Sequence, residues 1–132
     1  MADSAVAARA LARRARSHLQ DVAAAAAPIT YQALVQALAL APPLTIHRVT
    51  VALEQLMRED AANGHPFIAA LVVSKARGGL PAPGFFDAAQ RLGRFTDDGS
   101  GTAASAFHAA MFAAAVEFWR RQPDGPKADS GP

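Results

Sequence analysis

Residues 29–56, ITYQALVQALALAPPLTIHRVTVALEQL, decide how this chain is read. Thr30 stands where a helix N-cap belongs. Tyr31, Leu34, Val35 and Leu38 follow at helical spacing, which predicts a helix over 31–40. Pro42-Pro43 breaks it, because proline has no N–H to donate and restricts the residue before it. Thr45 is placed as the cap of a second, longer helix over 46–62. Ile46, Val49, Leu53, Leu56 and Met57 should face the core there, with His47, Thr50, Glu54 and Arg58 opposite. Asn63-Gly64 is the stop signal, since both residues tolerate the left-handed conformation.

Two helices joined tightly, the second longer, predict a helix-turn-helix whose second helix is the recognition helix. Its first turn offers Thr45, His47, Arg48 and Thr50, donors that reach phosphates and base edges. Glu54, Glu59 and Asp60 must then point away from any nucleic acid. Downstream, Phe67 to Val73 is a continuous apolar run of strand length. Lys75-Ala76-Arg77-Gly78-Gly79 turns the chain, and Leu80 to Phe86 returns through Pro81 and Pro83 as an edge strand or an irregular segment. Residues 74–84 form a candidate wing, with Lys75 and Arg77 near its tip and Phe85 and Phe86 anchoring it. A short helix over 86–93 follows. The glycines are not a phosphate loop, because no Gly-Lys-Ser/Thr follows them.

The expected fold class is therefore mainly α with a small β-hairpin (α+β): a winged helix-turn-helix core over 28–95, extended by N- and C-terminal helices. Residues 1–27 predict the N-terminal helix, with Leu11, Ala15, Leu19 and Val22 on its inner face. Arg9, Arg13, Arg16 and Gln20 form a second stripe, read as a solvated face or as a surface for phosphate or an acidic partner. After a loop at 96–101 (TDDGSG), the C-terminal helix runs to about Arg121 within a segment 96–121. Phe107, Met111, Phe112, Val116, Phe118 and Trp119 make its apolar face wide. It must be buried on the first helix and the core, or against a second subunit or protein partner through 107–119. The tail 122–132 has a composition that favours disorder.

Composition narrows the function. Alanine accounts for 34 of 132 residues, which favours helix but contributes little burial per residue. The Ala/Arg bias points to a bacterial, high-GC coding source. With no cysteine, disulfides, thiolate metal sites and thiol nucleophiles are excluded. The four histidines His18, His47, His65 and His108 have no ligand spacing, so neither a metal site nor a cofactor is expected. His108 is placed as a hydrogen-bonded core or interface histidine, His65 as an exposed turn residue, and Asp97-Asp98 as a solvated turn. No apolar run is long enough to span a membrane and no signal segment is evident, so a cytoplasmic protein with no membrane role is expected. Net charge is +2, with local excesses over 1–27 and 66–95. No acid, base and nucleophile converge, and a non-enzymatic protein is expected.

Residues 29–80, about two fifths of the chain, resemble the DNA-binding domain of alkylguanine-DNA alkyltransferases and alkyltransferase-like proteins. ITYQAL is similar to that family's strand end and helix start, where a tyrosine contacts the DNA backbone, which implies that role for Tyr31. IHRVTVAL is similar to its recognition helix, and alignment on Val49 puts His47 at the family's intercalating arginine, with Arg48 one residue out of register. Alignment on Val72-Val73 places Ala69 and Ala70 at the Cys-His of the active-site motif. The nucleophile and its base are both missing, so alkyl transfer by that mechanism is excluded. The expected function is double-stranded DNA binding through helix 46–62 and wing 74–84, by Tyr31, Thr45, His47, Arg48, Thr50, Lys75 and Arg77. The alternative is a protein–protein interaction module of adaptor or immunity/antitoxin type with no nucleic-acid role.

Overall fold

A computed structural model describes residues 2–96 and 101–121. The described chain is mainly helical: α1 (Ala2–Ala25), β1 (Ile29–Thr30), α2 (Tyr31–Ala37), α3 (Thr45–Ala62), β2 (Val72–Val73), α4 (Pro83–Arg91) and α5 (Gly101–Trp119). Short 3-10 turns at Ile68–Leu71 and Lys75–Arg77 flank β2. The tail at 122–132, Asp97-Asp98 and most of the 96–101 loop lie outside the described residues.

The core is built by the inner faces of α1, α2 and α3, closed by the segment 67–72, α4 and α5. Leu19, Leu34, Val49, Leu56, Phe67, Ile68 and Leu71 are fully enclosed. On α1 the inner face is Leu11, Ala12, Ala15, Leu19 and Ala23; the alanines let α3 approach closely. The second α1 stripe is only partly a solvated face. Gln20 is buried, and Arg16 is pulled inward by carboxylates on α3.

Phe67–Val73 is buried throughout, as its composition requires, but it is not one strand. Only Val72–Val73 is extended, because Ile68–Leu71 winds into a 3-10 turn. An apolar run of this length cannot distinguish a buried strand from a buried turn. The turn survives in the interior because side chains satisfy its backbone. The Ile68 N–H donates to Asp60 Oδ2 at 3.0 Å, and the Phe67 N–H to Met111 Sδ at 3.3 Å. Trp119 Nε1 donates to the Pro66 carbonyl and His108 Nε2 to that of Ala70, each at 2.9 Å. Arg94 donates to the carbonyls of His65 and Asp60 and lies over the Phe67 ring.

The expected β-hairpin is absent among the described residues. β2 pairs in parallel with β1, Ile29 opposite Val72 and Thr30 opposite Val73. The chain after β2 closes a tight loop instead of a second strand. The Ser74 N–H donates to the Leu80 carbonyl at 2.7 Å, a single antiparallel bridge. Gly78 and Gly79 take the positive φ angles that this reversal needs. A return strand does not form because Pro81 and Pro83 cannot donate to a ladder, and Pro83 instead opens α4. That helix starts three residues before the expected position, with Phe85 and Phe86 buried.

The apolar face of α5 is used within the chain. Ala104, His108, Ala115 and Trp119 are buried, while Phe107, Met111, Phe112, Val116 and Phe118 pack against the core. Phe107 stacks on Phe85, Phe86 and Phe95. His65 is half-buried against Phe118 and Trp119, not an exposed turn residue. No helix among the described residues is long and apolar enough to cross a membrane.

Arg16 Nη1 lies 2.9 Å from Asp60 Oδ1, and Asp60 is only 1% exposed. Burial raises the Asp60 carboxyl above the usual carboxylate range, against the opposing pull of the Arg16 guanidinium and the Ile68 N–H. Asp60→Ala is expected to cost about 3–5 kcal/mol in urea unfolding, because it removes the buried counter-charge of Arg16 and leaves the Ile68 N–H unpaired. Burial also lowers the pKa of His108, its hydrogen bond to Ala70 only partly opposing this. A depressed folded pKa means that the unfolded chain takes up the proton first. Stability should therefore fall as pH drops below the unfolded value of about 6.5. His108→Gln keeps an N–H donor and should flatten that part of the stability–pH curve.

Candidate nucleic-acid interface

The geometry of α3 is set by what precedes it. Thr30 caps α2 as expected, its hydroxyl accepting from the Ala33 N–H at 3.0 Å. The helix ends at Ala37, before the prolines act on it. Ala39 N–H donates to the Gln36 carbonyl and Leu40 N–H to that of Val35, with Ala39 at φ 55°. This is a Schellman ending with alanine where glycine is usual, so the sequence carries no stop signal for it. The same pattern closes α3 at Gly64, where the signal is plain: Gly64 N–H bonds to Ala61 and His65 N–H to Asp60. The connection from α2 to α3 is therefore Leu38–Leu44, longer than the three or four residues usual in a helix-turn-helix.

Thr45 is not the cap of α3. Leu44 holds that position in the left-handed conformation at φ 59°, and no side chain caps the helix. The first-turn N–H groups of α3 therefore have no side-chain acceptor, and this end carries the positive pole of the helix dipole. Ile46, expected in the core, is 38% exposed, and Leu44 is 68% exposed.

The expected contact residues divide between two faces of α3. Tyr31, Thr50 and Lys75 line a common cleft of about 660 Å3 between α2, α3 and the 75–77 turn, together with Gln32, Ile46 and Ser74. The Tyr31 hydroxyl accepts from the Ala82 N–H at 2.9 Å, which ties α2 to the loop and leaves its own proton to donate. Burial raises the Tyr31 pKa, partly offset by that hydrogen bond and by the nearby Arg77 guanidinium. Thr50 Oγ1 donates to the Ile46 carbonyl at 3.0 Å, so toward the cleft it presents an acceptor. Arg77 is half-buried, and its Nη1 has no hydrogen-bond partner. Among the described residues no Asp or Glu lines this cleft.

His47 and Arg48 lie on the other side, in a hollow between α3 and α1 that also includes Arg14. Arg48 Nη1 donates to the Ala41 carbonyl at 3.0 Å, closing the connection between the helices. The carboxylates of α3 are paired: Glu59 and Asp60 meet Arg16, and Glu54 faces Arg91 at 3.8 Å, while also lining a small pocket next to the cleft with Tyr31, Thr50 and Ala82. Sequence reasoning missed Gln32, Ile46 and Ser74 in the cleft. Ile46 was hidden by its helical spacing with Val49 and Leu53, and the others carry no signal of their own.

Among the described residues no three His, Asp or Glu side chains gather as metal ligands. Comparison with protein-family models, with curated proteins and with solved structures finds no match.

Replacing Tyr31 by Phe removes the acceptor for the Ala82 N–H. We expect a loss of about 1 kcal/mol in stability by denaturant unfolding. Amide exchange at Ala82 should rise more than exchange in α5.

Proposed function

We propose that this chain is a non-enzymatic winged-helix protein that binds double-stranded DNA through α3 and the loop 74–84. The observation that carries this reading is the cleft, without a carboxylate among its described lining, in which Tyr31, Thr50 and Lys75 converge beside Arg77 and the uncapped start of α3. A phosphate is met there by the N–H groups of the first turn, the Lys75 ammonium and the Tyr31 hydroxyl, all donors. Thr50 supplies an acceptor for a base amino group. The resemblance of residues 29–80 to alkyltransferase-like DNA-binding domains points the same way. The 3-10 turn at Lys75–Arg77 takes the part of the wing in a shortened form. Thr45 and His47 contribute through the backbone of the first turn, while Arg48 supports the connection between the helices.

With few cations at the cleft, binding is weak and its salt dependence shallow. The Lys75→Ala/Arg77→Ala double variant should lose roughly tenfold in affinity for a labelled random duplex, and its salt slope should fall by about 2. Arg48→Ala should change affinity much less. Fluorescence anisotropy at two salt concentrations measures both. Duplex binding that is unchanged in the double variant, or no binding at low salt, would overturn the reading.

A further inference from the structure

The face of α3 opposite the cleft carries a second basic surface. Two hollows, of about 650 and 490 Å3, lie between α3 and the N-terminal half of α1 and share Ala8 and Val51 as a common wall. Arg14 and Arg48 stand in the first, Arg9 and Arg58 in the second. Arg14 and Arg48 donate to the carbonyls of Leu38 and Ala41, which fixes their guanidinium groups and leaves their charge uncompensated. Among the described residues Glu59 is the one acid lining either hollow, and its oxygens already accept from Arg16 and Gln55. The floor between the arginines is apolar, formed by Ala7, Leu11 and Leu40. Val51, the wall the two hollows share, is 39% exposed.

We propose that this two-lobed groove docks an acidic amphipathic helix of a protein partner. An apolar stripe at i, i+3, i+4 and i+7 would fill the two lobes on either side of Val51, and flanking carboxylates would meet the four arginines. Charge complementarity selects an acidic occupant. The apolar floor and the exposed Val51 select a helix with side chains to bury over a sugar–phosphate backbone, which has none. From Arg48 to Arg58 the rim spans about 15 Å along α3, close to three turns of a docked helix. The surface is separate from the DNA cleft, so a chain bound to a duplex there can hold a protein on its other side.

The test uses the full chain and a labelled peptide of about eighteen residues with leucine at the four stripe positions and glutamate elsewhere. It is titrated by fluorescence anisotropy beside a peptide with lysine in place of glutamate. The acidic peptide should bind in a salt-dependent manner and the basic one should not. Val51→Glu, and separately Arg9→Glu/Arg58→Glu, should each weaken binding by roughly tenfold, while Lys75→Ala/Arg77→Ala should leave it unchanged. Arg9 and Arg58 are exposed, so that pair decides the matter even if Val51→Glu impairs folding. The proposal is overturned if the acidic peptide does not bind, or if it binds the Arg9/Arg58 variant equally. It is also overturned if a labelled duplex, and not the peptide, loses affinity in that variant, which would assign the groove to nucleic acid.

Discussion

A buried segment with irregular backbone must find a partner for every polar group, and in this protein the segment 66–71 imposes that demand on everything around it. Asp60 answers at its start. Its carboxylate accepts from the Ile68 N–H and at the same time pairs with Arg16 of α1. One fully enclosed side chain therefore joins three parts of the chain: the first helix, the third helix and the turn leading to β2. An ion pair of this kind adds little compared with well-packed apolar residues, because both charges lose their water. Its value lies in specifying one arrangement: an apolar residue at 60 would leave the Ile68 N–H without an acceptor and Arg16 with only the half-exposed Glu59 as its counter-charge.

The consequences run directly to the candidate interface. With residues 66–71 fixed by Asp60, Arg94, Met111, His108 and Trp119, Val72–Val73 emerges at one place and pairs with Ile29–Thr30. Thr30 then caps α2, and Tyr31 reaches across to the Ala82 N–H. Lys75 and Arg77 follow β2 within four residues, so the position of the short loop beside α3 is inherited from the buried turn. The cleft is shallow and lies at the surface, yet two of its three walls are registered by hydrogen bonds made inside the core. The broad apolar face of α5 is explained by the same demand, since three of its side chains bond to the backbone of 66–70 while the rest of its face packs on the core.

Much of the helical frame was legible because its signals are local. Thr30 as a cap, Asn63-Gly64 as a stop, and the stripes on α1, α2 and α3 all act within a few residues. What escaped depends on residues distant in sequence. A two-residue parallel pairing between 29–30 and 72–73 leaves no periodic trace. The 3-10 turn at 68–71 has the composition of a strand and is held by acceptors and donors from α3 and α5. The end of α2 was misjudged because Ala39 takes a conformation that glycine normally occupies. The candidate site was legible as residue types and not as a single surface. Successive residues on a helix point about 100° apart, so His47 and Thr50 cannot be assigned to one groove until the packing of α3 is known.

That packing also explains why so small a net charge is compatible with two cationic surfaces. The carboxylates of α3 are spent on the interior or on neighbouring arginines: Asp60 and Glu59 on Arg16, and Glu54 on Arg91. Arginines that hydrogen-bond carbonyls, such as Arg14, Arg48 and Arg94, keep their full charge while holding the fold together. The acids of α3 are thereby paired, while cations without a carboxylate partner remain on both exposed faces. A formal count of +2 averages over that sorting. What an anionic partner meets is the local arrangement, set by which carboxylates the core has claimed.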